Sequence, residues 1–421
     1  MMGSNGRWSG TRTSTPTTKG EPVSPSKQTE QMPILHIITT FSLGGATENT
    51  LLSVEGLKSR GRDVWILTGP SNPSEGDLLE RARANGVRVD ILPVLVRDIH
   101  PWKDLVAFIK LIGILKKGNI GIVHTHSSKA GILGRAAAAI ARTPIVVHTI
   151  HGLPFHDYQP KPIFTLFRLA EKVGAWCSDK LITVTDTIRQ KALAAHVGRP
   201  EQFVTVRSGF DIEQFSRARE DGKKLRKEFG FNDADLIVGK IARFSRLKGH
   251  RYLIDAIPKV VQEVPAARFF LVGGGELKDE LQDLVRARGI EHNVVFSGVL
   301  PPSRIPEVIG MMNVVVHTSL LEGLARIMPQ ALAAQKPVVS FDIDGAREVV
   351  LHGKTGYLVP PEDIDGLAGA IINLLKHPDL VALFGKAGRE LVEQQWTIEA
   401  MVRGIDRVYD ELLKEREDRL A

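Results

Sequence analysis

"ILHIITTFSLGGATENTLLSVEGLKSRG" (residues 34–61) decides the fold. Residues 34–41 are a nearly continuous apolar run, as a strand buried on both faces requires. Gly44 and Gly45 break the run, and an amphipathic helix follows. Strand, glycine turn and helix make the first half of a βαβ unit. The same alternation continues through strand 63–69, helix 76–86, strand 87–93, helix 101–117, strand 120–126, helix 128–141, strand 145–152, a helix around 162–177 and strand 180–185. "FVTVRSGFDIEQF" (203–215) closes this half, and a polar connecting stretch, 216–235, follows. The alternation restarts at "LIVGKIARF" (236–244) and runs through "PVVSFD" (337–342), "GYLVP" (356–360) and a helix over 363–375. Strands alternating with helices predict parallel, doubly wound sheets. The expected architecture is therefore α/β, with two Rossmann-like domains facing a cleft. The first spans 32–208, the second 209–395, and residues 396–421 form a helical tail.

Composition agrees with that picture. A chain of 421 residues, 43% hydrophobic and 24% charged, suits two or three domains that each bury a core. The single cysteine, Cys177, excludes an internal disulfide and reads as a core thiol. A net charge of +7 favours anionic partners. The charge is spread along the chain with no aromatic-basic pattern, so nucleic acid is not an expected partner. Residues 1–31 are rich in Ser, Thr, Pro and Gly and are expected to be disordered. They lack the apolar core of a secretory signal, and no apolar run approaches the ~20 residues of a membrane span. The expected location is the cytoplasm.

In doubly wound sheets, ligands bind beyond the carboxyl ends of the strands. Gly44 and Gly45 lie there, and glycines allow a ligand close to the backbone. Neither "GGATEN" (44–49) nor "GGGELK" (273–278) matches G-x-G-x-x-G, so the dinucleotide fingerprint is missing. His124 and His126 face one way on a strand and could share a metal, but no third ligand stands out. His151 ends the next strand and precedes Gly152. "RFSRLKGH" (243–250) puts Arg243 just past a strand and Lys248 before a helix start. Two cations at a helix N-terminus suit a diphosphate. Asp342 and Asp344 have a metal-binding spacing, yet Arg243 and Lys248 already offer diphosphate neutralisation, so no metal is expected. In "SLLEGLARIMPQALAA" (319–334), Glu322 and Gly323 form the turn and a helix begins near Ala325. A carboxylate beside an anion site is unfavourable unless it binds something else, such as sugar hydroxyls. Gln330 is placed to hydrogen-bond a ribose.

"SLLEGLARIMPQALAAQKPVV" (319–339) resembles the Glu-x7-Glu segment of retaining glycosyltransferases of the GT-B fold, sequence family 4. "FSLGGATEN", "HTHSSKAG", "VHTIHG", "RFSRLKGH", "LVGGGELKDEL", "VVFSGVL" and "HGKTGYLVPPED" each resemble family landmarks, in family order. "QQWTIEAMV" (394–402) resembles the point where the C-terminal helix crosses back to the first domain. The resemblance implies a nucleotide-sugar donor, with UDP the expected carrier, bound by the second domain. It implies that Arg243 and Lys248 neutralise the diphosphate. Glu322 would hold the donor sugar, with Gly323 and Leu324 amides nearby. Gln330 would meet the ribose, Val299 and Leu300 the base, and Gly45 and Gly275 the donor. His151 would lie near the reacting carbon. No cofactor or metal is implied, and a glycan or lipid-linked acceptor would bind the first domain. Three positions depart from the pattern: Gln330 replaces glutamate, Asp344 stands where glycine is usual, and Thr47 precedes Glu48. They bear on donor choice. Nothing marks a carboxylate nucleophile, so same-face attack is the expected chemistry. The competing readings are a nucleotide-sugar epimerase on the same fold and a catalytically silent nucleotide-sugar binder. Helices 101–117 and 161–172 mix apolar residues with lysine and arginine. They either cover the sheet or touch an anionic membrane.

Overall fold

The computed structural model describes residues 32–71 and 78–421; residues 1–31, expected to be disordered, lie outside it. The first sheet has seven parallel strands: β1 (Ile34–Ile38), β2 (Val64–Thr68), β3 (Val89–Ile91), β4 (Ile122–His126), β5 (Ile145–Ile150), β6 (Lys180–Thr183) and β7 (Phe203–Thr205). Their order is β3-β2-β1-β4-β5-β6-β7. The second sheet has six parallel strands: β8 (Leu236–Ile241), β9 (Ala267–Val272), β10 (Val294–Gly298), β11 (Val314–His317), β12 (Val338–Phe341) and β13 (Gly356–Val359). Their order is β10-β9-β8-β11-β12-β13. Helices cover both faces of each sheet, so β1, β4 and β5 are buried along their whole length. Each buried Val, Ile or Leu contributes about 1.5–3 kcal/mol relative to exposure.

Strand order reverses between β1 and β4 in the first sheet and between β8 and β11 in the second. A crevice opens beyond the carboxyl ends of strands at such a switch point. The segments leaving three of those four strands carry Gly45, Arg243, Lys248, Glu322, Gly323 and Leu324, and so topology alone gathers most of the candidate residues.

The polar connector expected at 216–235 is instead a helix, Ile212–Glu228. The Asp211 carboxylate caps it by accepting the Glu213 N–H at 3.1 Å. Ile212, Phe215 and Leu225 supply a thin apolar stripe under a charged surface. Those few apolar positions were hidden by the charge around them. The last helix, Ile398–Leu420, starts at a Thr397 cap and packs on helix Gly45–Ser59 of the first layer. It buries Met401, Val402, Ile405 and Tyr409 there. The contact needs Gly56, because a Cβ at that position would sit 2.3 Å from a Val402 methyl. Trp396, just before, is fully buried in the core of the second sheet. The chain thus leaves one sheet and ends against the other. Among the described residues, no single helix is long and apolar enough to cross a membrane.

Candidate functional site

Lys248 closes a single 3-10 turn, Arg246–Lys248, after β8. Gly249 follows with φ +63°, where a Cβ would lie 2.0 Å from the Thr318 carbonyl oxygen. Only glycine lets the β8 exit come this close to the β11 exit. Across that contact, Lys248 Nζ forms an ion pair with Glu322. Glu322 is fixed from two further directions. Ser319 Oγ donates to Glu322 Oε1 at 3.0 Å, and Asp344 Oδ2 accepts the Glu322 N–H at 2.7 Å. Burial opposes ionisation of Glu322, yet His317 and Lys248 outweigh it and hold the carboxyl down at about 2. His317 Nε2 is 3.7 Å away. Burial keeps that imidazole neutral at pH 7, so Lys248 is the partner charge under ordinary conditions.

The second domain's loop touches the first domain directly. A Cβ at Gly323 would lie 1.7 Å from the His151 carbonyl oxygen. Arg326, half-buried, reaches Glu48 at 3.1 Å and the Gly45 carbonyl at 3.4 Å. Glu348 accepts the N–H groups of Asp186 and Thr187 at 3.0 and 2.8 Å, the start of helix Asp186–Ala194. Lys191 pairs with Asp344. Gly323 thus meets the His151 backbone across the two domains, and Glu322, next to Gly323 in the chain, carries the ion pair with Lys248. Burial, and then the Arg326 charge, push His151 down to about 4, so its ring is neutral at pH 7.

Other candidates sit apart. Arg243 is 63% exposed and lies 3.9 Å from Glu276, whereas Lys248 pairs with Glu322, so the two cations hold different acidic partners. Leu324 is half-buried, and the helix starts at Ile327, two residues later than its sequence suggested, with Pro329 third in it. Gln330 is half-buried one residue further. Gly275 has φ +149°, and a Cβ would lie 2.5 Å from the Phe244 carbonyl oxygen. Val299 is 80% exposed and Leu300 half-buried beside it. Asp342 pairs with Arg347 while Asp344 turns to Lys191 and the Glu322 amide, so these two acids diverge. His124 and His126 do gain a third histidine, His36, from β1.

Several residues escaped the sequence reading. Arg326 and Glu348 act across the domains, which no local pattern reveals. Lys240 carried a signal: it is a lone lysine in the apolar run "LIVGKI". Its amine is buried without a hydrogen-bond partner, and burial and then Lys248 push it down to about 7. On the first-domain side, a cavity of about 630 Å³ opens beside Gly45, lined by Leu43, Ile99, Ile132, Leu133, Pro154 and Phe167 together with Lys129.

Two parallel-sheet α/β units, of seven and six strands, that meet through Gly323, Arg326 and Glu348 define the GT-B architecture. The "Glycosyl transferase 4-like domain" family model matches residues 44–209, and "Glycosyl transferases group 1" matches residues 221–391. The chain belongs to this family-4-type group of GT-B glycosyltransferases. It is similar to the Escherichia coli UDP-Gal:alpha-D-GlcNAc-diphosphoundecaprenol alpha-1,3-galactosyltransferase, with 28% identity over 81% of this chain and 87% of the relative. It is also similar to the Staphylococcus aureus capsular polysaccharide biosynthesis glycosyltransferase CapM, with 25% identity over 86% of this chain and 94% of the relative. In three dimensions it resembles Anabaena HepE, solved in complex with UDP, at TM-score 0.77 and 23% identity over 90% of this chain and 100% of that one.

Proposed function

We propose that this glycosyltransferase moves a hexose-type sugar from a UDP-sugar to a glycan or lipid-linked acceptor, with retention of anomeric configuration and without a metal. The observation that carries the reading is the cleft itself. Lys248 and Glu322 pair on the second domain, and Gly323, next to Glu322, touches the backbone of His151 on the first. The E. coli relative named above takes UDP-Gal and a diphosphoundecaprenol acceptor, and HepE was solved with UDP, which supports the donor class.

Charge dictates the division of labour. As the bond to the diphosphate breaks, the sugar gains positive character and the leaving group negative. Lys248, and Arg243 once it swings from Glu276, stabilise the leaving diphosphate, the task a metal would otherwise perform. Glu322, released from Lys248, holds donor-sugar hydroxyls, with the Gly323 and Leu324 amides beside it. Gly45 approaches the diphosphate, Gly275 backs the donor, Val299 and Leu300 meet the base, and Gln330 the ribose. His151 offers a neutral imidazole near the reacting carbon. The departing phosphate takes the acceptor proton as the acceptor attacks from the same face. The acceptor occupies the cavity beside Gly45, whose apolar walls suit a lipid-linked group and whose Lys129, once it leaves Asp104, meets its phosphate.

The outer helices of the first domain extend this reading to an anionic membrane. Helix Lys161–Trp176 exposes Ile163, Leu166, Leu169, Val173 and, at 85%, Trp176, while burying little of itself. These positions recur every three or four residues and form one stripe, flanked by Lys161, Arg168 and Lys172. Helix Pro101–Lys117 buries Ala107, Leu111 and Leu115 against the sheet and exposes Trp102, Leu105 and Ile109. The test of the donor assignment is thermal stability with UDP-, GDP- and ADP-sugars. A ligand at a hundred times its Kd raises stability by about 2.7 kcal/mol. A rise with UDP-sugars, absent in Arg243→Ala/Lys248→Ala, supports the assignment, and no rise with any nucleotide sugar refutes it.

A further inference from the structure

A chain of hydrogen bonds runs through the buried first sheet and ends at His151. His151 Nε2 lies 3.1 Å from His126 Nδ1. His126 Nε2 lies 2.9 Å from His36 Nδ1. His36 Nε2 lies 3.1 Å from the hydroxyl of Tyr409, which lies 2.5 Å from His124 Nδ1. His124 Nε2 ends the chain at Thr149 Oγ1, 2.7 Å away. β1 and β4 pair in register, placing His36 opposite His124, and the His36, His124 and His126 ring centroids lie 4.5–5.1 Å apart. Tyr409 comes from the last helix, Ile398–Leu420. The spacing of these three histidines would also admit a metal. Yet all six of their ring nitrogens already have hydrogen-bond partners, which fits a closed polar network better.

Counting protons shows what the network does. A neutral imidazole has one N–H and one bare nitrogen. Burial pushes His36 down to about 3 and His124 and His126 well below their ordinary range, so at pH 7 each ring carries one proton. Each bond in the chain needs one hydrogen. If Tyr409 accepts from His36, then His36 is protonated on Nε2, His126 on Nε2 and His151 on Nε2. If Tyr409 donates to His36, every one of these protons moves to Nδ1. The orientation of one hydroxyl therefore decides whether His151 shows a bare Nδ1 or an Nδ1–H. Among the described residues, that nitrogen has no hydrogen-bond partner.

We propose that Tyr409, His36, His124 and His126 are positioning residues that fix, from the C-terminal helix, which nitrogen of His151 carries its proton. This rests on the placement of His151 at the sugar end of the cleft. A bare Nδ1 accepts from a sugar hydroxyl, and an Nδ1–H donates to a sugar oxygen. The helix that crosses between the domains thus sets the sense of a hydrogen bond offered to substrate.

Long-range proton–nitrogen NMR on the full chain, labelled at histidine, reads the His151 tautomer directly, with His151→Gln assigning its signals. The wild type is expected to show one tautomer. Tyr409→Phe removes the hydroxyl and is expected to give a mixture. Thr149→Val, which removes the far end of the chain, is expected to shift the balance the same way and covers the case in which the first variant fails to fold. Turnover should fall about tenfold in a folded variant, with KM for the nucleotide sugar nearly unchanged. An unchanged His151 tautomer in a folded variant overturns the proposal, as does unchanged turnover with a changed tautomer. The NMR readout needs no substrate, so failure of the donor assignment would leave it standing.

Discussion

Acid should unfold this protein well before its carboxylates are protonated. His36, His124, His126 and His148 are all buried, and burial is the leading cause that pushes each below its ordinary value of 6.5. His36 falls to about 3. In the unfolded chain each binds a proton near 6.5, while the native state binds none until far lower. The native state is thus fully favoured above 6.5. It loses stability as pH falls below 6.5, levelling off only below the native value. Each such histidine costs up to about 1.4 kcal/mol per pH unit below 6.5. His151, His250 and His317, also pushed down chiefly by burial, act in the same direction as these four. The combined loss between pH 7.5 and 5.5 is on the order of several kcal/mol. Whole domains are stable by only about 5–15 kcal/mol. Glu322, held at about 2, begins to lose its contribution only below 4.5, outside this window. Urea denaturation followed by circular dichroism at pH 7.5, 6.5 and 5.5 measures the slope. Replacing His148 with Gln should reduce it by about 1.4 kcal/mol per pH unit. A midpoint that does not move between pH 7.5 and 5.5 would refute the reasoning.

Gly323→Ala places a methyl where the His151 carbonyl oxygen lies, so the cleft should fail to close. Activity should fall about 100-fold with the melting temperature within a few degrees of wild type, and normal activity would show that the contact is dispensable. Gln330→Glu should keep activity and shift donor affinity; complete loss would give the amide a specific role. Sedimentation with anionic vesicles at low salt should recover the protein, and Leu166→Ser/Trp176→Ser should weaken it. Absence of binding at low salt would reject membrane docking.

The fold was legible because parallel strands buried on both faces leave continuous apolar runs, and "ILHII" and "VVVH" are such runs. Strand ends then pointed to Lys248, Glu322 and His151 without any knowledge of pairing. What sequence left out is what depends on pairing. Arg326 finds Glu48, Glu348 finds the start of Asp186–Ala194, and Tyr409 finds His36 only once the domains have closed and the last helix has crossed back. The missing third histidine illustrates the point. His36 lies 88 residues from His124 in sequence, but they are register partners in the sheet. Local spacing also left the helix Ile212–Glu228 unread, because its apolar residues Ile212, Phe215 and Leu225 sit among many charges in sequence.

The central claim is that this cleft transfers a sugar from a nucleotide donor with retention, using Arg243 and Lys248 to stabilise the leaving group. Proton NMR during turnover of a UDP-hexose with an alpha anomeric bond, in the presence of acceptor, tests it most directly. The account predicts an alpha-linked product from the wild type. It predicts a loss of about 100-fold or more in rate for Arg243→Ala/Lys248→Ala, since one preorganised charge-stabilising group alone is worth about 2.7–4 kcal/mol. A beta-linked product, or near-normal transfer by the double variant, would contradict it.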